Sequence, residues 1–427
     1  MEDPSDAEVS LELTGASNIA AHLSVTEKLL FATKTLAVTV PCLLWDLMYD
    51  LLFRTREVFS RPFRMTMLKC ALKASKLTLR EQRAIAKPTG VIITNYCRAK
   101  ELRHDKVLLV NTDASCAVEG AEDNVNVDQG EEVDMNGPST TAMTLRTTTE
   151  TPRFQFLPAM LHFVGSQQGK KVLVYFHGGG YTMPLTTGQL RFARLAAEKS
   201  DMSLVVLEYT LSPQLNYPGQ LAQAAAALRY LLKQRPASDI IIMGDSAGAN
   251  MCLGLLAHLQ HPHPQIQPVF TSTAGRKDTT REQQKLGGAL IISPRCANTN
   301  EAASYRYNRR KDIISGRSIE DLNKVTENWD IVMSEVWNAP LAGGEEFWSD
   351  IMAHRLLLTV GGDEVYVDDV KEFGCMIGAK DRDEQPNAQR QLVVCPGELH
   401  VQAILDVALS CTHGRMLDSV LGWLQEA

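Results

Sequence analysis

Several features that mark particular classes of protein are scarce in this chain. Its 427 residues include nine cysteines, an odd number, and no two of them form a Cys-x-x-Cys pair. Neither a disulfide framework nor a metal site is indicated, so we expect a reducing, cytoplasmic compartment. The formal net charge is -7, and no basic stripe is interleaved with aromatic residues. This composition argues against a nucleic-acid partner.

Large apolar residues are also scarce between residues 112 and 151. This stretch is rich in Asp, Glu, Ser and Thr, a composition that cannot bury enough surface to order a core. We therefore predict a disordered acidic and Thr-rich insertion inside a first-strand region, residues 106–152. A second polar, turn-rich stretch at residues 261–285 is expected to loop out from the fold.

From residue 153 to residue 427, short apolar runs alternate with helical patterns. The predicted strands are residues 171–176, 203–208, 239–243, 287–292, 355–360 and 391–395, and the predicted helices are residues 190–199, 221–234, 249–260, 370–379 and 401–424. This alternation predicts an α/β fold with a mostly parallel central sheet and helices on both faces. Ligands of such sheets bind beyond the carboxyl ends of the strands, so functional residues should lie in the loops there.

One such loop is the run Gly-Asp-Ser-Ala-Gly at residues 244–248, between a predicted strand and a predicted helix. A sharp strand-to-helix turn needs small residues two before and two after its central serine, and Gly244 and Gly248 meet that need. The hydroxyl of Ser246 would then be exposed at the tip, beside a helix N-terminus that favours developing negative charge. Ser246 is therefore the candidate nucleophile.

A second loop carries His177, Gly178, Gly179 and Gly180 after the strand at residues 171–176. Consecutive glycines let backbone N–H groups turn toward an incoming carbonyl oxygen. We expect these groups to be oxyanion donors, and we expect His177 to support the loop instead of taking part in the chemistry.

Three motifs occur in a recognisable order: His-Gly-Gly-Gly at 177–180, Glu-Tyr-Thr-Leu-Ser-Pro at 208–213, and Gly-Asp-Ser-Ala-Gly-Ala-Asn at 244–250, which includes Asp245. From about residue 172 onward the chain resembles the hormone-sensitive-lipase-like carboxylesterases and lipases, which have the α/β-hydrolase fold, and it is similar to fungal hydrolases of specialised metabolism. The resemblance implies an oxyanion hole formed by the N–H groups of Gly179, Gly180 and Ala247. It also implies a cap made of N-terminal helices, residues 1–105, and a later segment, residues 297–350.

The chain departs from the family's usual pattern around Glu208. Thr210 and Gln214 stand where an arginine and an acid are common. We therefore expect a structural ion pair of the family to be absent here, without any effect on the nucleophile.

The remaining catalytic groups should follow the serine in the order acid, then histidine. The strand at 355–360 leads to two neighbouring candidates, Asp363 and Glu364, and the family spacing favours Glu364. His400 follows the strand at 391–395 and precedes a helix, as expected for the base; His354 and His413 are its rivals.

These residues predict a serine hydrolase that cleaves the carboxylic ester of a hydrophobic or bulky small molecule through an acyl-enzyme. No cofactor is required. Two alternatives stay open: a lyase, cyclase or dehydratase that uses the same oxyanion hole, and a non-catalytic small-molecule receptor, for which a lost triad residue would be expected.

Apolar residues also concentrate at residues 29–53, although Lys34, Pro41, Asp46 and Asp50 interrupt the run. A membrane-spanning helix would have to bury those charges, and the acidic N-terminus does not resemble a secretory signal. We expect amphipathic helices that pack over the active site. A peripheral membrane contact through the same apolar surface is the main alternative, and a single membrane span is the less favoured one.

Overall fold

A nine-stranded sheet forms the centre of the computed structural model, which describes residues 25–53, 70, 79–110, 157–270, 280–297, 299–314, 335–411 and 414–427. The strand order is β1-β2-β4-β3-β5-β6-β7-β9-β8. The strands are β1 (His104–Leu109), β2 (Ala159–Val164), β3 (Val172–Phe176), β4 (Ser203–Glu208), β5 (Ile240–Asp245), β6 (Gly288–Ile292), β7 (Leu356–Gly361), β8 (Lys380–Asp381) and β9 (Arg390–Cys395).

Only the β1–β2 and β2–β4 pairs are antiparallel, and all the other neighbouring strands run parallel. The predicted α/β class with a mostly parallel sheet is therefore confirmed. Because the parallel strands share one orientation, the loops that follow β3, β5, β7 and β9 all leave the same edge of the sheet. That edge is where the candidate residues were expected.

Helices cover both faces of this sheet. The α-helices that the structure describes are α1 (Val25–Lys34), α2 (Val40–Phe53), α3 (Leu79–Ile85), α4 (Thr89–Ala99), α5 (Thr187–Lys199), α6 (Gly219–Leu232), α7 (Ala247–Gln260), α8 (Arg281–Gln284), α9 (Ser304–Tyr307), α10 (Gly344–Phe347), α11 (Val367–Met376), α12 (Gln402–Ala408) and α13 (Arg415–Gln425).

Alternate residues of each parallel strand supply two separate cores. Along β3, Val172, Val174 and Phe176 pack with α6, α7 and α11, whereas Leu173 and Tyr175 pack with α4, α5, α12 and α13. Side chains on a strand point to opposite faces in turn, so a strand that is covered on both faces must be apolar throughout. This explains the uninterrupted apolar runs of the sequence.

The last predicted helix, residues 401–424, is wrong as a single element, because the structure divides it into α12 and α13. The chain leaves α12 at Ser410, whose φ of 56° lies in the left-handed region that commonly terminates helices. β1 begins at His104 and pairs along its length with β2, so residues 104–109 belong to the central sheet. The remaining boundaries of the insertion and cap segments stay predictions, and the insertion itself lies outside the described residues.

The N-terminal apolar segment does not pack as the sequence predicted. α1, a π-helical turn at Thr35–Thr39 and α2 follow one another without a break. Within it, Thr26–Trp45 is long and apolar enough to cross a membrane, by length and composition, and none of that window is buried. The expectation that this segment packs over the active site is therefore wrong. Lys34 Nζ contacts Glu81 Oε2 of α3 at 2.7 Å, so a polar contact links the helix to the catalytic body.

The next N-terminal helices, α3 and α4, do contact the loops at the carboxyl edge of the sheet. Arg83 of α3 is almost fully buried, and its guanidinium donates hydrogen bonds to the carbonyl oxygens of Thr182 and Ser212. Burial lowers the pKa of Arg83 to about 10. At the start of α4, Thr89 Oγ1 accepts a hydrogen bond from the N–H of Leu185 at 3.1 Å. The N-terminal region thus supports the loop that follows β3.

The pairing of β1 with β2 makes a test of the insertion straightforward. Leu109 and Ala159 are register partners across the two antiparallel strands, so their Cα atoms lie about 5 Å apart. We predict that replacing residues 113–147 by a short Gly/Ser linker preserves the fold. Thermal unfolding should show a Tm change below about 4 °C, roughly 1 kcal/mol for a large domain. Aggregation of the shortened chain, or a larger fall in Tm, would show that the insertion contributes to the core.

Candidate active site

Ser246 lies on a sharp turn between β5 and α7. Its φ and ψ are 53° and -117°, a conformation that non-glycine residues rarely adopt. A Cβ on Gly248 would lie 1.9 Å from the carbonyl oxygen of Phe176, and one on Gly244 would lie 2.3 Å from the backbone of Gly248. Glycine is therefore required on both sides of the serine, as the sequence predicted.

His400 lies in the loop between β9 and α12 and connects the serine to an acid. Its Nε2 is 3.0 Å from Ser246 Oγ, and its Nδ1 is 2.9 Å from Glu364 Oε2. Residues separated by up to 154 positions in the chain thus form one continuous line of hydrogen bonds.

Of the two candidate acids, the structure brings Glu364 and not Asp363 to the histidine. The Glu364 side chain is fully buried, and its Oε1 accepts hydrogen bonds from Ser293 Oγ at 2.6 Å and from the N–H of Gly361 at 2.5 Å. The Asp363 carboxylate instead faces Lys311 Nζ at 3.5 Å.

Of the two rival histidines, His354 does not join this arrangement. His354 is partly exposed and its Nδ1 lies 3.4 Å from Glu282 Oε1, whereas His413 lies outside the described residues.

Burial dominates the electrostatics of the three groups. It lowers the pKa of His400 from 6.5, which favours a neutral imidazole that can accept a proton. Burial also raises the pKa of Glu364, and the hydrogen bonds from Ser293 and Gly361 oppose that rise because they stabilise the carboxylate. The ring of Tyr366 packs edge-on against the imidazole, with 5.4 Å between ring centroids, which limits its rotation.

The glycine loop after β3 is joined to the serine turn by a buried carboxylate. Asp245 Oδ1 accepts a hydrogen bond from the N–H of Gly178 at 3.0 Å, so this N–H points away from any substrate. Gly179 and Gly180 both have positive φ, 117° and 61°, and a Cβ on Gly179 would lie 2.9 Å from the carbonyl oxygen of Met183.

The proposed third donor is the first residue of α7. The N–H of Ala247 has no acceptor within its own helix, because the first N–H groups of a helix precede its first hydrogen-bonded turn. The oxyanion roles of Gly179, Gly180 and Ala247 stay predictions.

His177 and the departure from the family pattern both have structural explanations. The His177 ring is fully buried and stacks on Tyr209 with 4.5 Å between ring centroids, and burial lowers its pKa to about 4. Thr210 pairs with Gln223, which accepts from its backbone N–H and donates to its hydroxyl, both at 2.9 Å. Thr210 thus forms a neutral hydrogen-bonded pair with Gln223, at a position where the family commonly has a charged arginine.

Sequence reasoning missed three buried polar residues around the acid and the base. Ser293 donates to Glu364 and accepts from the N–H of Val401 at 3.2 Å. Asn308 and Asp312 contact the backbone of the loops that carry Glu364 and His400. Asp312 follows three basic residues in the chain, where an acid usually indicates a solvated surface, so no signal separated it from ordinary loop residues.

The fold and the motifs define an α/β hydrolase of the hormone-sensitive-lipase-like carboxylesterase type. The family model for steryl acetyl hydrolases matches residues 104–420. The chain therefore belongs to the steryl acetyl hydrolase family, and the resemblance carried by the three sequence motifs is confirmed.

Individual relatives match over shorter stretches. Steryl acetyl hydrolase 1 of Saccharomyces cerevisiae is 36% identical over 104 residues, 23% of this chain and 24% of that protein. Versiconal hemiacetal acetate esterase of Aspergillus parasiticus is 33% identical over 86 residues, 20% of this chain and 27% of that protein. The chain thus spans about a quarter of the length of these two relatives.

Among solved structures, carboxyl esterase 2 of Tuber melanosporum superposes with a TM-score of 0.51 at 17% identity, covering 63% of this chain and 83% of that one. At this identity the likeness supports the fold alone.

The choice between the two acids can be tested directly. We predict that Glu364→Gln lowers kcat/KM on the order of 10²- to 10⁴-fold, because an amide can present its N–H₂ group to Nδ1 and favour the wrong imidazole tautomer. Asp363→Asn is the matched control and should retain most of the activity, since its carboxylate faces Lys311. Steady-state kinetics on an activated ester would measure both. If Asp363→Asn lost more activity than Glu364→Gln, Asp363 would be the acid that orients His400.

Proposed function

We propose that the protein hydrolyses a carboxylic ester through an acyl-enzyme on Ser246. The observation that supports this most strongly is the line of hydrogen bonds from Ser246 through His400 to Glu364. In the first step His400 Nε2 takes the hydroxyl proton while Ser246 Oγ attacks the ester carbonyl carbon, and the protonated imidazole then gives that proton to the departing alcohol. Water attacks the acyl-serine in the second step, again with His400 as the base.

The oxyanion of each tetrahedral intermediate would be stabilised by the N–H groups of Gly179, Gly180 and Ala247. Two observations support this assignment: the positive φ of both glycines and the position of Ala247 at the N-terminus of α7, where the helix dipole favours negative charge. Each such donor is typically worth a few kcal/mol of transition-state stabilisation.

We further propose that the substrate is the acetyl ester of a bulky, apolar alcohol. The family is described as that of the steryl acetyl hydrolases, and the two curated relatives are by name a steryl acetyl hydrolase and an acetate esterase. The small acyl group and large alcohol that these names share are the features carried over to this chain.

The membrane contact expected as an alternative now has structural support, and we propose it as the setting of the reaction. Ten large apolar side chains of the N-terminal helical segment are between 38% and 73% exposed: Leu29, Leu30, Leu36, Val38, Val40, Leu44, Trp45, Met48, Leu51 and Leu52. Water would be an unfavourable environment for so large an apolar surface.

The ion pair of Lys34 with Glu81 favours a helix that lies along the membrane surface. Lys34 falls near the middle of the apolar window Thr26–Trp45, and its ammonium is bound to the catalytic body. A spanning orientation would place that ion pair near the bilayer centre, where burying a charge costs several kcal/mol. The bilayer is thus the proposed partner, and apolar ester molecules dissolved in it would be the substrate.

Labelling and substrate preference test the chemistry. We predict that a fluorophosphonate probe reacts with the wild-type chain at Ser246, and that Ser246→Ala abolishes labelling and lowers turnover by at least about 10³-fold. Across p-nitrophenyl esters of increasing acyl length, acetate should give the highest kcat/KM. Labelling that persists in Ser246→Ala would disprove the nucleophile, and an unlabelled wild type that still eliminates or cyclises a substrate would favour lyase or cyclase chemistry.

Flotation with phosphatidylcholine vesicles tests the membrane contact. We predict that the wild-type chain floats with the vesicles and that the double variant Leu44→Glu/Trp45→Glu does not, because charges on the apolar surface oppose its insertion. Ile85→Glu is the matched control, since Ile85 is equally exposed, at 62%, but lies on α3 of the catalytic body. Equal flotation of both variants, or none by the wild type, would contradict the proposal.

A further inference from the structure

A short stretch of the second cap segment, residues 304–312, is bound to the loop that carries Glu364. Asn308 is fully buried, and its Nδ2 donates to the carbonyl oxygens of Gly362 at 3.0 Å and Glu364 at 2.7 Å. The N–H of Asp312 donates to the carbonyl oxygen of Asn308 at 3.0 Å. This turn therefore places both side chains on the side of the segment that faces the acid loop.

The carboxylate of Asp312 reaches two loops at once. It is fully buried; Oδ2 accepts a hydrogen bond from the N–H of Val365 at 2.9 Å, and Oδ1 accepts one from the N–H of His400 at 3.2 Å. Val365 directly follows the acid, and His400 is the base. One side chain thus connects the backbone of His400 with that of the loop that carries Glu364. The segment that supplies this side chain contributes none of the three residues Ser246, His400 and Glu364.

The charge of Asp312 also acts on the imidazole. The titratable groups around His400 are Glu364 at Nδ1, Asp312 at its backbone N–H, Asp245 from the serine turn and the edge-on ring of Tyr366. The negative charges of Asp312 and Asp245 raise the pKa of His400 against the larger lowering caused by burial. Burial raises the pKa of Asp312 to about 6, so its carboxyl group is mostly ionised at neutral pH.

We infer that Asp312 is a positioning residue for the reaction: its buried carboxylate fixes the backbone of His400 relative to that of Glu364 and adds a negative charge beside the imidazole. This inference rests on the proposed roles of Ser246, His400 and Glu364. It gives the predicted second cap segment a part in catalysis, because movement of residues 304–312 would alter the distance between base and acid.

The test compares Asp312→Asn with Asp369→Asn. Asp369 is a suitable control because it is also a buried carboxylate; it lies on α11 and accepts a hydrogen bond from Tyr305 of the same cap segment at 2.9 Å. It neither contacts the backbone of His400 nor contributes to its pKa. Both variants lose a buried charge, so both should lower Tm, and only the first should change the chemistry.

We expect Asp312→Asn to lower kcat on the order of 10- to 100-fold with little change in KM, since misplacing a catalytic group by about 1 Å can cost on the order of 10²-fold. Removing the negative charge lowers the pKa of His400, so neutral imidazole persists to lower pH and the acid limb of the kcat/KM profile moves to lower pH. Asp369→Asn should leave kcat and the profile unchanged.

Asn308→Ala supplies a second variant in case Asp312→Asn does not fold. An amide carries no charge, so this variant should lower kcat without moving the acid limb. Unchanged kcat and pH profile in Asp312→Asn, or the same kinetic change in Asp369→Asn, would overturn the inference. Failure of the proposed function itself would appear separately, as activity or fluorophosphonate labelling that survives Ser246→Ala.

Discussion

Asp245 lies between the two loops that build the nucleophile and the candidate oxyanion hole, and its carboxylate connects them. One oxygen accepts hydrogen bonds from the N–H of Gly178 and the hydroxyl of Tyr175, and the other accepts one from Gln189 Nε2. Burial raises the pKa of Asp245, and these three donors act in the opposite direction. A buried carboxylate persists in a fold only when such donors compensate for lost solvation, so its position requires β3, β5 and α5 to stay together.

The contacts of Asp245 also fix elements that lie beyond the serine turn. Gln189, which binds Asp245, also forms the capping box of α5 with Thr186, so the start of that helix is fixed by the same contact. On the other side, the glycine loop is supported by Arg83, whose guanidinium binds the carbonyl oxygen of Thr182. The acid and the base form a second assembly, in which Ser293 and Asp312 connect the loops after β6, β7 and β9. Catalytic geometry thus depends on two buried polar networks that meet at His400 and Ser246.

The sequence was sufficient for the parts of the site that are determined locally. Gly244, Ser246 and Gly248 are recognisable because a tight turn imposes small residues at fixed offsets, and His400 and Glu364 follow strands in a chain order that the fold dictates. Asp312, Asn308 and Arg83 could not be predicted in this way. Arg83 contacts residues 99 and 129 positions away, and no local pattern encodes such a partner. The apolar segment at residues 29–53 was misassigned for a related reason: its apolar surface is visible in the sequence, but what covers that surface is not.

The central claim is that Ser246 carries the acyl group. Rapid acid quenching during turnover of p-nitrophenyl acetate, followed by peptide mass spectrometry, would trap the acyl-enzyme before water releases it. The account predicts one acetyl group on the peptide that contains Ser246, in an amount that matches the burst of p-nitrophenol, and no acetyl group there in His400→Ala, whose serine lacks its base. Turnover of the wild-type enzyme with a burst but with the acetyl group on another residue would contradict it.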